Sequence, residues 1–87
     1  MATAKSHLVL TAVGPDRPGL VNRISSLIHE ASANLEDSRM AILGGEFALL
    51  VLVSGTDAAV ARVEQEAVRL EPELGLKVMT IALSWLG

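Results

Sequence analysis

The run LEDSRMAILGGEFALLVLVS, residues 35–54, decides the fold. Gly44-Gly45 at its centre is a two-residue hairpin signal, because both positions of the favoured turn need positive φ. Before the glycines, alternation sends Leu35, Asp37, Arg39, Ala41 and Leu43 one way and Glu36, Ser38, Met40 and Ile42 the other. The first half is polar on both sides, as suits an edge strand. After the glycines, Phe47–Val53 is apolar on both sides and reads as a central strand.

Outward from this hairpin the same logic assigns the rest. Towards the N-terminus, a short Ser32-Ala33-Asn34 break precedes the edge strand, and Leu20, Val21, Ile24, Leu27, Ile28 and Ala31 lie on one face of a helix. Asn22, Arg23, Ser26 and Glu30 form its wet face, and Pro18 is expected at the first helical position. His7–Val13 is an apolar strand stopped by Gly14-Pro15. Towards the C-terminus, Ser54-Gly55-Thr56-Asp57 offers N-caps for a second helix, whose stripe is Val60, Val63, Ala67, Leu70 and Leu74. Pro72 predicts a break near Glu71, with a further turn before Gly75. Leu76–Leu83 is a last strand, followed by Ser84-Trp85-Leu86-Gly87.

The order is βαββαβ, and each strand–helix–strand half requires a right-handed crossover. The predicted fold is therefore α+β, a ferredoxin-like sandwich with a four-stranded antiparallel sheet and both helices on one face. A single domain is expected over residues 6–84, consistent with 87 residues in all.

Composition narrows the function. The formal charge is −3, with one Phe, one Trp and no Tyr. Neither the basic footprint nor the stacking platforms of a nucleic-acid binder are present. No cysteine occurs, which excludes disulfides and thiolate chemistry. The N-terminal MATAKSHLVLTAVG has no charged segment followed by a cleavable apolar one, and Phe47–Val53 is too short to cross a bilayer. A cytoplasmic module without membrane contact is expected.

Two helices cover one sheet face, yet the strands are apolar on both. Removing about 500 Å² of the bare face from water is worth roughly 12 kcal/mol gross, at about 25 cal/mol per Å². Association and ordering offset much of that. Pairing through the sheet, as a homodimer or with a second domain, is the expectation.

The loop Gly14-Pro15-Asp16-Arg17-Pro18-Gly19 carries the most chemical information. It sets the first helical amides, at Gly19, Leu20 and Val21, where they can receive a carboxylate. Asp16 beside them can accept from an ammonium group, so the two halves match a zwitterionic amino acid. The same loop also reads as a tight strand–helix turn. Asn34, opening the second strand, can donate and accept, or simply serve the turn.

Catalytic readings find little support. His7 and His29 lack metal-ligand spacing, so neither a metal nor a cofactor is expected. Glu36 and Asp37, adjacent on a strand, are expected on opposite faces. Ser25, Ser26 and Ser38 have no activating signature, and no phosphate-loop motif occurs. An acylphosphatase-type enzyme on this sandwich would have only Arg17 for its phosphate loop. The expectation is a binding module, not an enzyme.

The segments DRPGLV (16–21) and NLEDSRM (34–40), with the hairpin GGEF (44–47), resemble the ACT-domain family over roughly residues 6–84. Within it, the likeness is strongest to the N-terminal ACT domains of glycine cleavage system transcriptional repressors. That resemblance implies an amino-acid sensor, with glycine the first ligand. It also implies repression by contact with a LysR-type activator protein and not with DNA. In amino-acid-binding members the ligand sits between paired domains. The matching positions here are Gly14, Asp16, the amides of Gly19 and Leu20, and Asn34 supplied by a partner domain. Serine-binding members carry His and Asn where this chain has Gly14 and Asp16, and the repressors carry two ACT domains. Two other readings stay open: a ligand-free dimerisation module, and the regulatory ACT domain of an amino-acid or one-carbon metabolic enzyme.

Overall fold

Gly44 and Gly45 turn the chain with φ of 57° and 84°, the two positive values a tight hairpin needs. The computed structural model describes residues 6–83. Ser84-Trp85-Leu86-Gly87, including the last residue of the expected domain, and the first five residues of the N-terminal reading lie outside them. The elements are β1 (Ser6–Pro15), α1 (Leu20–Glu30), β2 (Asn34–Leu43), β3 (Glu46–Gly55), α2 (Asp57–Ala67), α3 (Leu70–Leu74) and β4 (Lys77–Ala82). The sheet runs β2-β3-β1-β4, every neighbour antiparallel. This is the expected ferredoxin-like sandwich, with β2 at an edge and β3 inside.

The core forms between the inner sheet face and the helices. Leu8, Leu10 and Ala12 of β1 and Phe47, Leu49, Val51 and Val53 of β3 are buried there. Leu20, Ile24, Leu27 and Ile28 of α1 and Val60, Val63 and Ala67 of α2 close over them. These are the stripes read from the sequence, except that Val21 is exposed. Thr56 caps α2, its Oγ1 accepting from the Ala59 amide at 3.1 Å.

Four local expectations need correction. β1 continues through Gly14 and Pro15, which pair with Phe47 and Glu46. Beyond Val13 it has no β4 partner, and a strand paired on one side tolerates proline. Pro18 is not the first helical residue: Gly19 is the N-cap at φ 83° and α1 starts at Leu20. The second helix breaks after Ala67, not near Glu71, and resumes as α3. Pro72 sits inside α3's first turn, where no intrahelical amide is lost.

The fourth concerns β2. Its pairing with β3 shifts between Leu35 and Asp37, a β-bulge that breaks strict alternation. Leu35 opposes Val53 of the inner face while Asp37 opposes Leu52 of the outer one. Glu36, the extra residue, accepts a hydrogen bond from the buried Ser54 hydroxyl. Glu36 and Asp37 therefore share the outer face and do not point apart.

Past the bulge, register aligns rows of outer-face residues across all four strands. They are Asp37, Leu52, Val9, Ile81; then Arg39, Leu50, Thr11, Met79; then Ala41, Ala48, Val13, Lys77. Among the described residues no helix packs on this face.

Candidate functional site

The corner between β1 and α1 is pinned from two sides. The Asp16 amide donates to the Gly45 carbonyl at 3.1 Å, tying the corner to the hairpin. The Arg17 guanidinium donates to the Leu74 carbonyl at 3.2 Å, tying it to the end of α3. Gly19, in the left-handed region, then turns the chain so that its carbonyl accepts from the Arg23 amide at 2.9 Å. A side chain at Gly19 would meet no atom within 4 Å, so backbone conformation and not space selects glycine.

α1 has no side-chain N-cap bond and no acidic residue in its first turn. Its leading amides are thus left for another acceptor, with the positive end of the helix dipole behind them. The residues that carry them line a groove of about 240 Å³. Asp16, Arg17, Gly19 and Leu20 line its polar end, and Met40, Ile42 and Phe47 form its apolar wall. Val21 and Asn22 complete the rim.

Of the expected site residues, Asp16, Gly19 and Leu20 come together here. Gly14 does not line the groove. It is buried, and a Cβ on it would lie 2.8 Å from Leu76 Cδ2 and 3.0 Å from the Gly75 carbonyl oxygen. Its smallness lets the α3–β4 turn approach β1. Asn34 is exposed at the opposite end of the sheet, where it pairs with Ser54, itself opposite His7. Seven residue steps along the strand separate His7 from Gly14, roughly 24 Å at about 3.4 Å per step. Within one copy Asn34 cannot share a ligand with Asp16.

Asn22, Met40 and Ile42 were not singled out by sequence reasoning. Asn22 had a usable signal, being three residues after Gly19 and so on the same side of the first turn. Met40 and Ile42 had none, because their approach to α1 depends on how β2 is paired.

Other polar groups are engaged structurally. Arg23 of α1 holds Glu73 of α3 through bonds of 2.6 and 3.1 Å. That hydrogen bonding, with mutual attraction, raises the Arg23 pKa and lowers that of Glu73. His7 is half-buried, its Nδ1 without a partner among the described residues. No group of three His, Cys, Asp or Glu able to hold a metal occurs among them. No described helix is long and apolar enough to cross a membrane.

The family model for the ACT domain matches residues 6–80. The chain is similar to the glycine cleavage system transcriptional repressor of Escherichia coli, 39% identical over 77 residues, which are 88% of this chain and 40% of that protein. It is 40% identical over 76 residues to a UPF0237 protein of Methanopyrus kandleri, covering 85% of this chain and 84% of that one. The crystal structure of a proposed glycine cleavage system transcriptional repressor superposes with a TM-score of 0.90 at 41% identity, over 94% of this chain and 48% of that one. The chain spans less than half the length of the repressors it matches.

Proposed function

This chain belongs to the ACT-domain family, and on that premise we propose that it is a regulatory module that senses a small amino acid, glycine first. One observation carries the reading: the uncapped start of α1 and Asp16 line the same groove. The ligand carboxylate goes to the Leu20 and Val21 amides, where dipole and donors favour an anion. The ammonium goes to Asp16 in a charge-assisted bond. Arg17, already bonded to Leu74, adds positive charge nearby.

Asn34 joins the site only from a second copy or a second ACT domain, because its own corner is out of reach. Ligand lodged between two domains couples occupancy to pairing, since whatever binds only the paired state stabilises it. The relative in Escherichia coli is a transcriptional repressor. We assign this chain the same role, exerted on a LysR-type activator protein. The formal charge of −3 supports protein contact over DNA contact. The bare outer face favours a second reading, a pairing module without a ligand.

Calorimetric titration with a panel of amino acids separates the two. Glycine is expected to bind. Asp16→Ala and Asn34→Ala are each expected to weaken it by about 1.5–3 kcal/mol, the worth of a charge-assisted hydrogen bond. Silence across the panel ends the sensing reading and leaves the pairing one.

A further inference from the structure

We propose that the groove at the β1–α1 corner selects an amino acid with an aliphatic side chain over glycine, and that Met40 and Ile42 make the selection. This rests on the sensing reading and moves the first ligand from glycine to an amino acid of leucine's size and polarity.

Met40 and Ile42 face the helix side of the sheet, opposite Leu49 and Phe47. Those β3 partners are 4% and 1% exposed, whereas Met40 and Ile42 are 55% and 52% exposed. Val21, on the apolar stripe of α1, is 44% exposed. All three line the groove. Where α1 begins, the helix layer therefore leaves an apolar strip uncovered. That strip is continuous with the polar end, because Asp16, Arg17 and the first residues of α1 line the same groove. Ligand sites of this build, an apolar wall with a few polar groups that fix orientation, are the common kind.

An α-amino acid carries its side chain on the carbon that joins its carboxylate to its ammonium. With both charged groups held at the polar end, the uncovered strip is the part of the groove left to the side chain. Glycine has nothing to send there and leaves the strip wet. A polar side chain would give up water against methyl and thioether groups, with only Asn22 on the rim to replace its hydrogen bonds. An aliphatic side chain loses no hydrogen bond and gains about fourfold in affinity for each methylene fully covered. Covered on one side in an open groove, the leucine side chain is expected to gain at least about tenfold over glycine. Methionine is unbranched and adapts to more than one shape. The wall thus selects by polarity first and by exact outline second.

Calorimetric titration of the whole chain with glycine, leucine and asparagine tests this. Leucine and asparagine share nearly the same branched shape, and only leucine suits the wall. Leucine is expected to bind at least about tenfold tighter than glycine, and asparagine no tighter than glycine. Met40→Ala and Ile42→Ala, both at half-exposed positions, should each cut the leucine-to-glycine affinity ratio at least about threefold. Asp16→Ala should weaken both ligands and keep their ratio. Met40→Glu sets a carboxylate on the wall and should put lysine ahead of leucine. Glycine or asparagine as tight as leucine, or a ratio that survives both alanine variants, overturns the selection and leaves the sensing reading intact. A Met40→Glu chain that loses self-association in sedimentation while keeping its ratio gives the wall to a second copy and overturns the selection as well. No heat from any amino acid overturns both.

Discussion

The two faces of the sheet come from the same strands and carry similar apolar content, yet their fates differ. On the inner face Leu8, Leu10, Ala12, Phe47, Leu49, Val51 and Val53 are at most 4% exposed. On the outer face Val13, Leu50, Met79 and Ile81 are 41–60% exposed. Strand hydrophobicity therefore does not choose the core. The choice is made by the two amphipathic helices, which the right-handed crossovers deliver to one side only. An apolar strand face is a demand for a covering layer, and the described residues supply a single one.

The largest effect should come from cutting one side chain on each face. Phe47→Ala removes a fully buried ring and is expected to cost about 3–5 kcal/mol in urea unfolding. Leu50→Ala, at concentrations where the chain is monomeric, should stay within about 0.5 kcal/mol. Equal losses would break the contrast between the faces.

Gly14→Ala sharpens it at the sheet's end, where the inner face has no spare room. The new Cβ meets Leu76 and the Gly75 carbonyl oxygen at 2.8 and 3.0 Å, so a destabilisation of about 1–3 kcal/mol is expected from overpacking. Thermal unfolding reads it, and a neutral result would show that the α3–β4 turn yields freely.

The smallest effect lies on the helix layer's solvent side, at Arg23 and Glu73. The Arg23 hydrogen bond lowers the Glu73 pKa in the folded chain. The stability this contributes is whole above the ordinary glutamate value of about 4.3 and is lost as pH falls through the lower folded value. Both partners are exposed enough for solvent to screen them. Wild type should melt slightly above Glu73→Gln at neutral pH, and the gap should close in acid. A gap that persists at pH 2 would show that the pair acts through packing and not through charge.

Periodicity and turn chemistry are properties of neighbouring residues, so the sequence by itself determined much of this protein. It settled the hairpin at Gly44-Gly45, the β2 edge, the central β3, both helical stripes and the βαββαβ order. It also placed Asp16, Gly19 and Leu20 at one polar corner. Tertiary structure alone decided the bulge that puts Glu36 and Asp37 on one face, the burial of Gly14 against Gly75 and Leu76, and the Met40–Ile42 wall of the groove. Each of those depends on which distant backbone arrives alongside and in what register, and no local pattern encodes a register. The separation of Asn34 from Asp16 is of the same kind, because it follows from strand direction within the sheet and not from the identity of either residue.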